Sequence, residues 1–227
     1  MKKHIGIILM LSLILSAVSS AAMISYNTSY TGVGAVSPSS VIGQLQKFDS
    51  SLGTLTYVSL TLNSTTYAGT LTWDNESAVV TDVELKIGAE VTASTLGGLL
   101  VTIATPLQAG SQSAVGADDD ASPDFVGSDS FTLSGNTGND IQTNGSSSAS
   151  VLTAFTASGT EYFDVYLGSI LKKTVSTTGG YGAEQYTAGV TDGTVTVCYT
   201  YTVPEPATIA MLGIGCLGLI KRRKAAK

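Results

Sequence analysis

Residues 194–203 read Thr-Val-Thr-Val-Cys-Tyr-Thr-Tyr-Thr-Val and alternate at every position between two kinds of side chain. One face of this segment collects valines and tyrosines, namely Val195, Val197, Tyr199, Tyr201 and Val203. The other face is a row of threonines interrupted by Cys198. Strict alternation with a period of two predicts a β-strand that buries one face and exposes the other.

The same alternation recurs in two other places. Residues 82–87 alternate Asp, Glu and Lys with Val, Leu and Ile, and residues 162–167 alternate Tyr and Asp with Phe, Val and Leu. Residues 99–103 form a short apolar run that ends before Pro106. Each of these segments predicts a further strand.

Residues 55–62 predict a strand whose apolar phase shifts between Tyr57 and Val58, as a β-bulge would cause. The polar residues 63–66 that follow predict a hairpin turn into a second strand at 67–73.

Two segments without alternation, 109–129 and 134–150, are rich in Gly, Ser, Asn and Asp and predict loops. Long stretches with a helical apolar period are absent from the sequence between residues 23 and 203. Many short strands with polar punctuation predict an all-β fold, a single antiparallel β-sandwich with jelly-roll-like or related two-sheet topology.

The first 22 residues have the parts of a secretory signal peptide. Lys2 and Lys3 precede an apolar stretch at 5–18, and small residues at 19–22 predict cleavage after Ala21 or Ala22. The stretch has no twin-arginine pair, so we expect export in the unfolded state by the Sec machinery. The alternative is an N-terminal membrane helix that is not cleaved.

Residues 204–227 form a second targeting segment. Pro204, Glu205 and Pro206 make a triplet that resists helix formation, because the two prolines lack a backbone N–H. An apolar run at 207–220 predicts a membrane helix, and a basic stop-transfer patch follows it: Lys221, Arg222, Arg223 and Lys224. The positive-inside rule keeps this patch cytoplasmic, which places a single domain at 23–203 on the outer side.

The apolar run is short for a permanent anchor. As a helix it would span about 21 Å, against a hydrocarbon core of about 30 Å. The triplet, the short span and the basic patch resemble the tail of the PEP-CTERM family of bacterial surface proteins. The resemblance implies that an exosortase recognises and cuts the tail after transient anchoring in the inner membrane, leaving the protein at the cell surface or outside the cell. An ordinary single-pass anchor is the alternative.

The composition of residues 23–203 excludes several classes of function. Four lysines face sixteen acidic residues, so this part carries a net charge of −12, and it contains neither arginine nor histidine. These absences exclude Ser-His-Asp catalysis, histidine-based metal sites and nucleic-acid binding. Cys198 is the single cysteine of this part, so it cannot form a disulfide within it.

An acidic cluster is a candidate calcium site. It consists of five carboxylates within twelve residues: Asp118, Asp119, Asp120, Asp124 and Asp129. Calcium binds several carboxylate and carbonyl oxygens, although the spacing here matches no EF-hand loop. A solvated acidic loop without a bound ion is the alternative reading.

Carboxylates and aromatics near residue 74 raise two further possibilities. A glycosidase would need two carboxylates facing each other across a cleft, but acidic residues at alternating strand positions such as Asp74, Glu76, Asp82 and Glu84 normally face water. We therefore expect no enzymatic activity and no cofactor other than calcium. Trp73 and the tyrosines would suit stacking on sugar rings, although tyrosine at inward strand positions usually belongs to the core.

Residues 46–62, with the sequence QKFDSSLGTLTYVSLTL, resemble the opening of the choice-of-anchor E domain. That family also closes on an alternating Thr/Val/Tyr strand just before the sorting tail, and the resemblance implies an exported surface domain without a known activity. Two functions follow from the sequence. The first is a non-enzymatic surface or extracellular-matrix protein associated with exopolysaccharide, and the alternative is a secreted carbohydrate-binding module.

Overall fold

The structure is a computed structural model that describes residues 20–120 and 122–203. The described residues form fourteen strands, two 3₁₀ turns and one α-helix. In chain order these elements are β1 (Ser20–Gly34), β2 (Ser37–Gln46), β3 (Phe48–Asp49), a 3₁₀ turn (Ser50–Leu52), β4 (Thr54–Tyr67), β5 (Thr70–Asn75), β6 (Thr81–Thr95), a 3₁₀ turn (Leu96–Gly98), β7 (Leu100–Ala104), β8 (Leu107–Val115), β9 (Ser130–Leu133), β10 (Gly138–Ser146), α1 (Ala149–Phe155), β11 (Thr156–Ala157), β12 (Tyr162–Thr177), β13 (Gly182–Thr187) and β14 (Val190–Val203).

The strands form four sheets. One antiparallel sheet has the order β1-β14-β4-β10, and a second has the order β2-β12-β6-β7, with β8 also paired to β6. A three-stranded antiparallel sheet has the order β13-β5-β9, and β3 pairs with β11 in parallel. The prediction of an all-β, largely antiparallel fold is therefore confirmed. The jelly-roll-like sandwich topology stays a prediction.

Side chains from the two larger sheets share one hydrophobic core. Val197 and Leu60 from the first sheet lie in the same buried cluster as Val91 and Val165 from the second. A separate cluster surrounds Trp73 and takes its members from β5, β6, β8 and β9. The described residues thus form two clusters of buried hydrophobic side chains.

The strands with clean alternation lie where the sequence predicts them. Residues 194–203 fall in β14, with Val195, Val197 and Tyr199 fully buried and the intervening threonines half-buried. Residues 82–87 and 162–167 alternate in the same way within β6 and β12. The predicted strand at 99–103 corresponds to β7.

Strand β4 confirms one expectation and corrects another. The β14–β4 pairing shifts register between Thr200 and Tyr201, which leaves Thr56 without an opposite residue and accounts for the phase shift beside Tyr57. The hairpin predicted at 63–66 is wrong, because β4 runs unbroken to Tyr67. Its polar residues continue the strand because they lie between β14 and β10, where backbone pairing supports both sides.

The two predicted loops are also partly strand and helix. Strand β8 covers the first part of 109–129, and β10 and α1 occupy much of 134–150. β10 is polar and glycine-bearing, but it pairs with β4 along nine residues, and its Thr143 hydroxyl lies 2.8 Å from that of Thr61. Ladder bonds from a neighbouring strand outweigh the low strand propensity of these residues.

Candidate functional site

The strand that precedes the predicted sorting tail lies inside a sheet. β14 is paired on one side with β1 and on the other with β4. Its last residue, Val203, pairs with Ser20, so the two ends of the described chain lie side by side at one end of the sheet. The predicted cleavage site after Ala21 or Ala22 falls within β1, opposite Thr202 and Tyr201.

The predicted sorting residues lie outside the described part of the chain. These are the triplet Pro204, Glu205 and Pro206, the apolar run 207–220 and the basic patch Lys221, Arg222, Arg223 and Lys224. Residues 1–19 of the predicted signal peptide lie outside it as well. Within residues 20–120 and 122–203, no helix is long and apolar enough to cross a membrane.

Residues 48–55 hold the end of β14 in place, and we call this segment the brace. Phe48 is almost fully buried, and its ring centroid lies 5.9 Å from that of Tyr199 and 5.0 Å from that of Tyr201. Asp49 Oδ1 accepts hydrogen bonds from the backbone N–H of Ser51 at 2.9 Å and of Gly159 at 3.3 Å. These bonds, with Ser51 the largest contributor, hold the pKa of the Asp49 carboxyl below its usual value.

Gly53 brings the brace against the backbone of β14. Its φ of +149° lies in a region that other residues rarely adopt. A Cβ on Gly53 would overlap the carbonyl oxygen of Thr202, lie 3.0 Å from its carbonyl carbon and 3.3 Å from the ring of Tyr201. Glycine therefore permits a close approach at the last residues before the tail.

The aromatic side chains divide into a buried and an exposed set. Trp73, Tyr30 and Tyr199 are buried, and the Tyr199 hydroxyl donates to the carbonyl of Gln46 at 2.9 Å. These three side chains belong to the core, so they cannot stack on a sugar from solvent. Tyr162 and Tyr166 are exposed to 56% and 39%, as their outward positions on β12 predict.

The exposed pair borders a shallow cleft of about 330 Å³. Asp164 lies between the two tyrosines on β12, and its Oδ1 accepts a hydrogen bond from Gln44 Nε2 at 2.8 Å. Two aromatic faces with an amide and a carboxylate between them can offer both stacking surfaces and hydrogen-bonding groups to a polar ring.

The predicted acidic cluster lies in residues 116–129, which we call the acidic loop. Asp118, Asp120 and Asp124 each use one carboxylate oxygen to accept a backbone N–H two residues further on, at 3.1, 2.9 and 2.9 Å. These three residues form local turns at the surface. Asp129 differs from them, because its side chain is 3% exposed and its Oδ2 accepts from the backbone N–H of Asp119 at 3.2 Å.

Asp74 holds the acidic loop against β5, a role that the sequence analysis missed. Its side chain is 2% exposed, and its Oδ2 accepts from the backbone N–H groups of Asp124 at 3.0 Å and Phe125 at 2.8 Å. The expectation that acidic residues on these strands face water is wrong for Asp74, although Asp82 and Glu84 on β6 are exposed. The available signal was the position of Asp74, a carboxylate near the end of a largely buried strand.

The carboxylates of this region influence one another. The charge of Asp129 is the main cause that raises the pKa of the Asp119 carboxyl. Partial burial, followed by the charge of Asp118, raises the pKa of Glu76. In the part of the chain that the structure describes, no three Asp, Glu, His or Cys side chains converge closely enough to bind a metal ion by themselves.

Comparison with known proteins gives one specific match. The family profile for the PEP-CTERM protein-sorting motif matches residues 202–224, which include the last two residues of β14 and the whole predicted tail up to the basic patch. The match supports the sorting-signal prediction and implies an exported protein that is processed by an exosortase and sorted to the cell surface. No curated protein sequence matches the chain.

Several solved structures have a distant likeness to the chain. One is the structure of the infectious bursal disease virus Gx strain, at 14% identity over 82% of this chain and 39% of that chain, with a TM-score of 0.19. Another is the VP2 subviral particle of infectious bursal disease virus, at 13% identity over 92% of this chain and 51% of that chain, with a TM-score of 0.13. The chain spans about half the length of these viral chains or less, and likeness at this level carries no conclusion.

Proposed function

We propose that this chain is an exported surface protein whose sorting tail is cut by an exosortase, which releases the body from the inner membrane. The observation that carries the proposal is the sorting-motif match at residues 202–224, directly after a strand held on both sides. Since Val203 is still paired, hardly any linker separates the folded body from the triplet that begins at Pro204.

The test replaces Pro204, Glu205 and Pro206 together by alanine in cells with an active exosortase. The wild-type protein should lose its C-terminal segment, whereas the variant should keep Lys227 and stay in the membrane fraction. Mass spectrometry of the mature C-terminus measures the outcome. A wild-type protein that still ends at Lys227 would refute the proposal.

The body at 23–203 acts without catalysis, as an acidic, hydroxyl-rich component of the cell surface or extracellular matrix associated with exopolysaccharide. Its composition supports this role, because it has no histidine or arginine and a single cysteine. The brace supports the resemblance to the choice-of-anchor E domain, since Phe48, Asp49, Gly53 and Leu55 each have a packing role there. In this proposal the two larger sheets form the β-sandwich of that domain. Co-sedimentation with exopolysaccharide from the same cells would measure the association.

The second candidate is a carbohydrate-binding module, and the exposed Tyr162–Tyr166 pair on β12 favours it. Replacing either tyrosine by alanine should weaken binding to a soluble polysaccharide in affinity gel electrophoresis. Tyr181, also exposed at 71% but outside this cleft, provides the matched control. If the polysaccharide slows the Tyr162 and Tyr166 variants as much as the wild type and the Tyr181 variant, this site is excluded.

A further inference from the structure

The acidic loop contains a buried carboxylate oxygen without a partner. Asp129 Oδ1 is inaccessible to solvent and has no hydrogen bond, while Oδ2 of the same side chain is bonded to the backbone of Asp119. Leaving an ionised oxygen buried without a partner is unfavourable, and buried charges are normally paired or bound to a metal ion. This oxygen is therefore a candidate ligand for a cation.

Asp119 faces the same small space as this oxygen. Measured from the position that a Cβ on Gly127 would take, Asp129 Oδ1 is 3.1 Å away, and Asp119 Oδ2 and Oδ1 are 3.5 and 3.9 Å away. Gly127 has a φ of +97°, so the turn requires glycine, and a larger residue would fill the space between the two carboxylates. The hydroxyl of Ser128 lies 3.4 Å from Asp119 Oδ2 and adds a further oxygen.

Protein cations do not neutralise this loop in the described part of the chain. Each of the lysines there pairs with a glutamate outside the loop, in the pairs Lys47–Glu161, Lys86–Glu84, Lys172–Glu90 and Lys173–Glu184. The carboxylates of Asp119 and Asp129 face one space beside Gly127, so their mutual repulsion is uncompensated there. An external cation would relieve it.

The loop is already shaped by bonds that do not involve these carboxylates. Gly116 N–H donates to the carbonyl of Ser128 at 2.8 Å, and Asp118 N–H donates to the carbonyl of Ser77 at 2.9 Å. Asp74 holds the far side of the loop through two more backbone N–H groups. A cation would thus enter a preformed turn and would not have to order a free segment, which favours binding.

We propose that Asp119 and Asp129 bind one calcium ion beside Gly127. Two carboxylates are too few to complete the coordination, so backbone carbonyls, the Ser128 hydroxyl and water supply the remaining oxygens. Calcium accepts six to eight such ligands in flexible geometry, whereas magnesium requires a near-ideal octahedron and keeps most of its water. Asp118, Asp120 and Asp124, which the sequence also assigned to calcium, act as turn residues around this site.

Thermal unfolding of the full chain in a non-ionic detergent tests the proposal, with calcium chloride or chelator at fixed ionic strength. Calcium at tenfold excess over its Kd should raise the Tm by roughly 3–6 °C. Asp129→Asn keeps an oxygen that can accept the Asp119 N–H but loses the charge, so this shift should disappear. Asp119→Asn should abolish it as well, and because Asp119 is exposed, this variant tests the site even if Asp129→Asn fails to fold.

Asp120→Asn is the matched control, since it removes the same charge from the same loop but not from the site. It should keep the calcium shift, and isothermal titration calorimetry should still measure one bound ion. Three results would overturn the proposal. The first is a wild type that shows neither a Tm shift nor heat of binding at 10 mM calcium. The others are a Tm shift with magnesium equal to that with calcium, and an Asp120→Asn variant that loses as much of the calcium-induced Tm shift as Asp119→Asn. The last two would indicate general screening of the acidic loop.

Discussion

Replacing Gly53 by alanine tests the contact between the brace and the end of β14. The new Cβ would overlap the carbonyl oxygen of Thr202, and neither backbone can yield by a side-chain rotation. Overpacking of this kind costs about 1–3 kcal/mol, and placing alanine in this sparsely populated extended region of positive φ adds about 1 kcal/mol. The free energy of unfolding should therefore fall by about 2–4 kcal/mol.

Gly98→Ala provides the control, because Gly98 has a φ of +90° but no atom within 4 Å of its Cβ position. Gly98→Ala should lower the free energy of unfolding by about 1 kcal/mol. Both substitutions also reduce the conformational entropy of the unfolded chain, and this effect is the same for the two variants, so it cancels in their comparison. At roughly 2–4 °C per kcal/mol for a chain of this size, Gly53→Ala should lower the Tm several degrees more than Gly98→Ala. Differential scanning fluorimetry of the full chain measures the difference, and equal values for the two variants would refute the close approach at Thr202.

Three further outcomes are expected. Asp74→Ala should destabilise the chain by about 2–4 kcal/mol, because two partly buried backbone N–H groups lose their carboxylate acceptor, and limited proteolysis should then cut at 116–129. Glu84→Ala, at an exposed position on β6, should leave this loop resistant, and equal cleavage of the two variants would contradict the anchoring role. Burial raises the pKa of Tyr30 from about 10 to about 12, so the neutral phenol contributes about 2–3 kcal/mol to the free energy of unfolding below pH 10, and this contribution is lost as the pH rises to 12. Urea unfolding between pH 10 and 12 should therefore show a fall in the free energy of unfolding that is smaller in Tyr30→Phe. An equal fall in the wild type and the variant would exclude Tyr30 as its source. Far-UV circular dichroism should show predominantly β-structure, and a helix content above about a quarter would contradict the fold.

Segments with one buried face could be predicted from the sequence, and segments supported only by neighbouring strands could not. In β14, β6 and β12 one side of the strand faces a core, so apolar residues occupy every second position and the strand can be recognised from the sequence. β10 has no buried apolar face, because it is held by backbone hydrogen bonds to β4. Backbone hydrogen bonds do not require apolar side chains at alternate positions. The polar residues of β10 therefore led to the prediction of a loop.

The candidate sites follow the same division. The sorting tail consists of contiguous residues, so its pattern is complete in the sequence. The acidic loop was visible as a run of carboxylates, but burial separates Asp129 from the others, and burial depends on how the loop packs. Asp74 lies more than forty residues earlier in the chain and reaches the loop only through the fold.

The position of β14 between β1 and β4 links the completion of folding to the end of export. If the chain crosses the membrane from its N-terminus, as we propose, β1 and β4 reach the outer side before residues 190–203, and until then each has an open edge where β14 will bind. Unpaired edges invite association with other chains. In the proposed route, a sorting tail directly behind β14 would keep this final strand close to the membrane as it emerges, so that the body could close its first sheet before the cut separates it from the bilayer.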